Sequence, residues 1–340
     1  MLTRKDIYHS IFAFSILMVA SYVGNRFKAG FSNDDYGLIR KYLLNESPLY
    51  GMNKPKIWIH SKYETNARDW KTAHARNTNN LNQPYLHLTI QSTIDHCGDD
   101  FHVCLIDDNS FSKLIPGWET DVASLAEPMR SQFREYGLMK LVFLYGGMLV
   151  PNSFVCTRNL KQLYDDGLRD GRPFACEAIN RTSSLIEQKH RLLFVPDLYF
   201  MGAKRDDDVM HELVEYLKTK CANPHFSDER AFLGDSSHWC AKRFTVVGGE
   251  KIGIKTNGRK QILLEDLTED KFLDVSTDSF GVYIPEDEVL RRPKYKWLAF
   301  VSKGELLASD TAIAKYLKTS MVDAHGEYYK SNIRHSAVGI

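Results

Sequence analysis

The stretch Arg134-Glu135-Tyr136-Gly137-Leu138-Met139-Lys140-Leu141-Val142-Phe143-Leu144-Tyr145-Gly146-Gly147-Met148-Leu149-Val150-Pro151-Asn152-Ser153 decides the fold. It reads as a mostly apolar helix closed by a glycine pair and followed at once by a short strand. Two glycines at a helix C-terminus allow left-handed backbone and a close approach to the next element, so the helix stops there. Met148 to Val150 then starts a strand, which Pro151 ends.

Working outward, Lys56 to His60 alternates apolar residues after Pro55 and is predicted as the first strand. Leu88 to Cys97 follows as a helix, and Phe101 to Ile106 as a second strand stopped by Asp107-Asp108-Asn109. Asp121 to Tyr145 reads as one long helix interrupted near Pro128. Further on, strands are expected at Pro173–Ile179, Leu193–Gly202, Arg243–Gly249 and 281–285, with helices at Asp206–Lys220 and Asp310–Lys318. Strands alternating with helices indicate an α/β sheet flanked by helices, whose ligands bind at the carboxyl ends of the strands. Asp107 and Asn152 both fall at such ends.

The helix, the Tyr145-Gly146-Gly147 turn and the three apolar residues after it resemble the central signature of glycosyltransferases with a DXD sugar-binding motif. These are the capsular-polysaccharide-synthesis and initiating mannosyltransferase types. The resemblance covers roughly residues 54–217 and implies a GT-A-like nucleotide-sugar fold. It also implies a nucleotide-sugar donor and an unspecified glycan, lipid or protein acceptor. Where that family carries Asp-x-Asp, this chain has Pro151-Asn152-Ser153. The family's Asp-x-x-Arg upstream falls on Glu135 and Leu138, so the bracing arginine is missing too.

Those departures bear on the chemistry. Hard divalent cations want anionic oxygen, which Pro, Asn and Ser side chains do not offer. One lost charge contact at 4 Å is worth roughly 4 kcal/mol at an effective dielectric of 20, or about a thousandfold in rate. No metal ligand is therefore assigned, and Mn²⁺ or Mg²⁺ enters only if displaced carboxylates bind it. The carboxylates at hand are Asp107, Asp108 and Glu135, taken as catalytic candidates, although an acidic pair after a strand also serves as a turn cap. Asp206-Asp207-Asp208 suits the start of a helix. Arg130, Arg134, Lys140, Arg158, Lys204 and Arg205 are the cations that could stand in for a metal. Arg134 is expected to lean toward its helix N-terminus and away from the active edge. Trp58, His60, Arg134, Gly146, Gly147, Asn152 and Ser153 complete the candidate donor site. For the tryptophan and histidine, simple core packing is the competing reading.

Composition bounds the rest. A chain of 340 residues with 43% hydrophobic content can bury a sizeable core, and a net charge of +1 argues against nucleic acid as a partner. Six scattered cysteines without a CxxC pair speak against zinc, and permit either disulfides in an oxidising lumen or buried free thiols. Ile7 to Val23 holds eight Ile, Leu, Phe or Val residues between Arg4-Lys5 and Arg26-Lys28. At about −0.3 to −0.6 kcal/mol each, they favour membrane insertion. An uncleaved single-pass anchor is the leading expectation for residues 1–30, with a signal cleaved near Val19-Ala20-Ser21 as the rival. Residues 31–53 would then be a stem, 54–249 the GT-A-like domain, and 250–340 a C-terminal extension of unread role. An enzyme or a silent relative acting as a binding or scaffold module are the two functional expectations.

Overall fold

A computed structural model describes residues 54–61, 83–180, 192–222 and 229–322. These all belong to one compact unit. The expected anchor and stem lie outside the described residues, and among the described residues no helix is long and apolar enough to cross a membrane.

The elements follow the sequence in alternation. Strand β1 is Lys56–His60, helix α1 Tyr85–Cys97, β2 His102–Ile106, α2 Ser110–Leu114, α3 Met129–Tyr145, β3 Gly147–Leu149 and β4 Phe154–Cys156. After these come α4 Lys161–Gly167, β5 Phe174–Ile179, β6 Phe194–Ala203, α5 Asp208–Ala222, α6 Glu229–Ala241 and β7 Thr245–Val247. The C-terminal part holds α7 Leu264–Thr268, β8 Gly281–Tyr283, α8 Glu286–Arg291, α9 Lys303–Ala308 and α10 Ala312–Ser320. The expected helix over Asp121–Tyr145 is shorter than predicted. Only a 3-10 turn at Val122–Ser124 precedes Pro128, and the α-helix starts after that proline, which supplies no N–H and restricts the residue before it.

Six strands form one sheet in the order β2-β1-β3-β6-β5-β7. The pairs β1–β2, β1–β3 and β5–β7 are parallel, while β3–β6 and β5–β6 are antiparallel. Five strands therefore run one way and β6 alone runs back. Helices flank this sheet. Its core joins Trp58, Leu138, Leu141, Val142, Leu149 and Met201 to Met210, Leu213 and Leu217 of α5, all nearly inaccessible to solvent. The α5 positions recur at three- and four-residue spacing, which gives that helix its buried stripe.

A second core forms around the two-stranded antiparallel sheet β4–β8. Tyr85 and Leu86 of α1 pack there with Val155, Val282, Ile284, Leu298 and Leu317. The C-terminal residues are thus built onto the first sheet's surroundings through β4, which directly follows the Pro151-Asn152-Ser153 segment.

The glycine pair is a requirement of the backbone. Gly146 sits at φ 65° and Gly147 at φ 103°. A side chain on Gly147 would put its Cβ 2.3 Å from the Lys56 carbonyl oxygen, and one on Gly146 would meet the Arg205 amide at 2.7 Å. Only glycine lets β3 lie this close to β1.

Candidate functional site

A cavity of about 180 Å³ opens at the carboxyl ends of the parallel strands. His60 closes β1, and Val150 to Ser153 follow β3; both line it. Strand β1 lies between β2 and β3, so the chain order reverses here, and α/β sheets form their ligand crevices at such a switch point. Ala178 and Ile179 at the end of β5 contribute a second wall.

The start of β6 is the third wall, and its register is broken. Ala175 pairs with Met201 whereas the next residue, Cys176, pairs with Asp197. Leu198, Tyr199 and Phe200 are therefore extra residues opposite a single step of β5. Such bulges bend a strand and re-aim its side chains. Asp197, Leu198 and Tyr199 all line the cavity, and the Asp197 Oδ1 accepts the Tyr199 amide hydrogen at 2.8 Å within the bulge.

The fourth wall comes from the C-terminal part. Tyr283 ends β8, and Pro285, Glu286, Asp287 and Arg291 of the following helix face the same space. Burial pushes the Tyr85 phenol up, and the negative charges of Glu286 and Asp287 and the phenol of Tyr283 add to this. The Tyr85 hydroxyl donates to Gln83 Oε1 at 3.0 Å. Sequence reasoning missed this wall entirely. The available signal was Pro285-Glu286-Asp287, an acidic helix start directly after a predicted strand end.

Of the residues expected in a donor site, His60, Asn152 and Ser153 line the cavity. Asn152 is 6% and Ser153 1% exposed. The Ser153 Oγ has no hydrogen-bond partner among the described residues, so it leaves one buried polar atom on a cavity wall. Trp58 is instead core: its Nε1 donates to the Gly146 carbonyl at 2.9 Å and its ring tilts against Tyr145. With Gly146 and Gly147 it fixes the turn and does not line the cavity.

None of the expected catalytic carboxylates lines the cavity. Asp107 closes the turn before α2, accepting from the Ser110 amide at 2.9 Å and the Ser110 hydroxyl at 2.7 Å. Glu135 is 1% exposed and lies on the α5–α6 side of its helix, where its charge helps raise the Cys221 thiol, chiefly lifted by burial, to about 12. Asp108 stands one rank behind the cavity. Arg134 grips it with both prongs, Nε to Oδ1 at 2.8 Å and NH2 to Oδ2 at 2.7 Å. The expectation that Arg134 points away is corrected. The start of α3 lies over the end of β2, so a guanidinium leaning toward the helix N-terminus meets the strand end. His60 Nε2 lies 3.0 Å from the same Asp108 Oδ1, and its ring stacks on Phe111. Burial works to raise the Asp108 carboxyl, but hydrogen bonds from Arg134 and then His60 override it and hold the group well below the usual carboxylate range.

The remaining candidates have ordinary roles. The Asp207 Oδ1 accepts from the amides of Val209 and Met210, the N-cap role expected for that acidic run. Arg130 donates to the Leu125 carbonyl, and Arg205 pairs with Asp206. The acidic and basic side chains that line the cavity are His60, Asp197, Glu286, Asp287 and Arg291.

The GT-A-like resemblance implies a divalent metal, and the residues do not fit one. Pro151-Asn152-Ser153 brings no carboxylate, and among the described residues no group of three or more His, Cys, Asp or Glu side chains could hold a metal ion. The sequence matches no protein-family model, no curated protein and no solved structure. Function is therefore argued from the site alone.

Proposed function

We propose that this chain is a glycosyltransferase with a GT-A-like fold that moves a sugar from a nucleotide-sugar donor without a resident metal. The observation that carries the reading is the cavity's position: it lies at the switch point, with the Pro151-Asn152-Ser153 segment as one wall and carboxylates from β6 and α8 opposite. Carboxylates suit sugar rings because they accept charge-assisted hydrogen bonds from hydroxyl groups. Tyr199 and Tyr283 offer ring faces to the same ligand.

In the reaction an acceptor hydroxyl attacks the anomeric carbon, the bond to the diphosphate breaks, and the acceptor's proton must go to a base. Asp197 and Asp287 are the carboxylates facing the cavity that we assign to that proton. Arg291 would offset the negative charge departing on the diphosphate, and His60 would bound the same part of the pocket. Asp108 and Arg134 are positioning residues that hold His60 in place.

Nucleotide-sugar hydrolysis tests the reading, since it needs no knowledge of the acceptor. We expect turnover with at least one common donor, unchanged by a chelator, and lowered about a hundredfold by Asp197→Asn or Asp287→Asn. No turnover with any donor, or turnover that survives both changes, would sink it.

A silent sugar-binding relative is the second reading. It is favoured by the closure of Asp108 under Arg134 and His60, which withdraws the strand-end carboxylate from any ligand. Donor binding without hydrolysis in the same assay selects it. We also propose that residues 1–30 anchor the chain in a membrane with the described domain on the lumenal side. Removing them should leave the domain's cooperative unfolding unchanged.

A further inference from the structure

Helix α1 is laced to the chain that leaves the cavity. Thr89 donates its hydroxyl to the Asn152 carbonyl, and Ser92 Oγ accepts the Cys156 amide at 2.9 Å. Further along the helix comes Cys97, its last residue, whose Sγ lies 3.9 Å from the Sγ of Cys156. Both side chains are fully inaccessible to solvent. All six cysteines are described as free thiols, and no other two of them are in contact. Three contacts from one helix thus hold residues 152–156, and the third is a thiol pair.

We propose that Cys97 and Cys156 form a structural disulfide when the chain folds in the presence of a disulfide oxidant, tying α1 to the strand that follows the cavity wall. The sulfurs must approach by about 2 Å to reach bonding distance, which rotation about the two Cα–Cβ bonds can supply. The chemistry is two thiol–disulfide exchanges. The Cys97 thiolate attacks oxidised glutathione, forming a mixed disulfide and releasing one glutathione thiolate. The Cys156 thiolate then attacks the Cys97 sulfur, the protein disulfide forms, and the second glutathione thiolate leaves. The two protons lost by the cysteines end on the two glutathiones. Burial pushes the Cys156 thiol well up, so exchange is slow in the folded state and the bond forms during folding.

The full chain refolded from denaturant with oxidised glutathione, then alkylated under denaturing conditions and digested, gives the test. We expect a cross-linked peptide pair containing Cys97 and Cys156, with Cys104, Cys176, Cys221 and Cys240 alkylated. The oxidised protein should melt about 5–10 °C above the same protein kept in dithiothreitol, and Cys97→Ser should remove that difference. Should Cys97→Ser fail to fold, the wild-type comparison still decides. Alkylation of both cysteines after oxidative refolding, or pairing of either with a different cysteine, would overturn the proposal. None of these outcomes depends on whether the cavity transfers a sugar.

Discussion

At one edge of the sheet, Arg134 and Asp108 form an ion pair that also holds the His60 ring, while Asp197, Glu286, Asp287 and Arg291 line a cavity. In the first region the Arg134 guanidinium meets both oxygens of the Asp108 carboxylate, and these two groups lie behind His60, which lines the wall. In the second the carboxylates come from a bulged strand and a distant helix, and converge on space. A charge that is buried and answered from within the chain belongs to the fold. A charge that lines a cavity can touch a ligand there as well as its partners within the chain. The two regions should therefore fail in different ways when altered.

The largest effect is expected at Arg134. Removing one partner of a buried pair leaves the other unpaired, at a cost of about 3–5 kcal/mol. Arg134→Leu should lower the denaturation midpoint sharply, or prevent folding. A full-strength midpoint would show that the cluster contributes little, and the comparison would break. Acid should reveal the same cluster. The Asp108 carboxyl is depressed in the fold, so its stabilisation is complete above the unfolded value of about 4 and is lost as pH falls through and below that point. Glu265, lowered to about 2 chiefly by its hydrogen bond from Arg292, acts in the same sense but is only half-buried. Urea midpoints should fall steeply below about pH 4, and this fall should be shallower in Asp108→Asn.

The cavity wall should behave oppositely. Ser153→Ala deletes a buried hydroxyl that has no partner, so stability should stay level or rise slightly. Ligand binding should weaken by about tenfold, the worth of one hydrogen bond near 1.4 kcal/mol. Calorimetry of binding alongside thermal melts separates the two quantities. If Ser153→Ala unfolds the protein and spares binding, the wall is scaffold.

How far the sequence reaches can be seen in the same two regions. The β1 strand was legible to its ends, because Pro55 and the apolar run from Lys56 fix them. So was the Tyr145-Gly146-Gly147 turn, whose positive φ angles demand glycine. The chain's α/β alternation followed from these. Beyond that, the reading stopped at pairings that local pattern does not encode. The strand at 281–285 is legible, but its partner β4 is three residues long and lies more than a hundred residues away, so no local pattern announces the pairing. The bulge at Leu198–Phe200 is equally silent, since an uninterrupted apolar strand looks the same with or without it. Asp197 and Asp287 are brought to the cavity by just these features. The direction of Arg134 depends on where the end of β2 lies, which the helix pattern alone does not encode.

The smallest effect sharpens the contrast. Asp95, on α1, accepts from Gln91 at 2.6 Å but has no cation beside it, and burial raises it to about 6. Its cost is therefore present at neutral pH and is relieved as pH falls from about 6 toward 4, the reverse of Asp108. Asp95→Asn should stabilise the protein at pH 7 by about 1 kcal/mol after solvent screening, and the gain should vanish near pH 4. A gain that persists at pH 4 would mean the carboxylate's burial is not its cause.

Hydrogen exchange with and without a saturating panel of nucleotide sugars tests the central claim most directly. Our account predicts protection confined to peptides spanning 149–153, 195–199 and 283–291, with Asp107 and α2 unaffected. Protection that skips 283–291, or that centres on the Asp107–Asp108 turn, would contradict the assignment of the cavity as the ligand site.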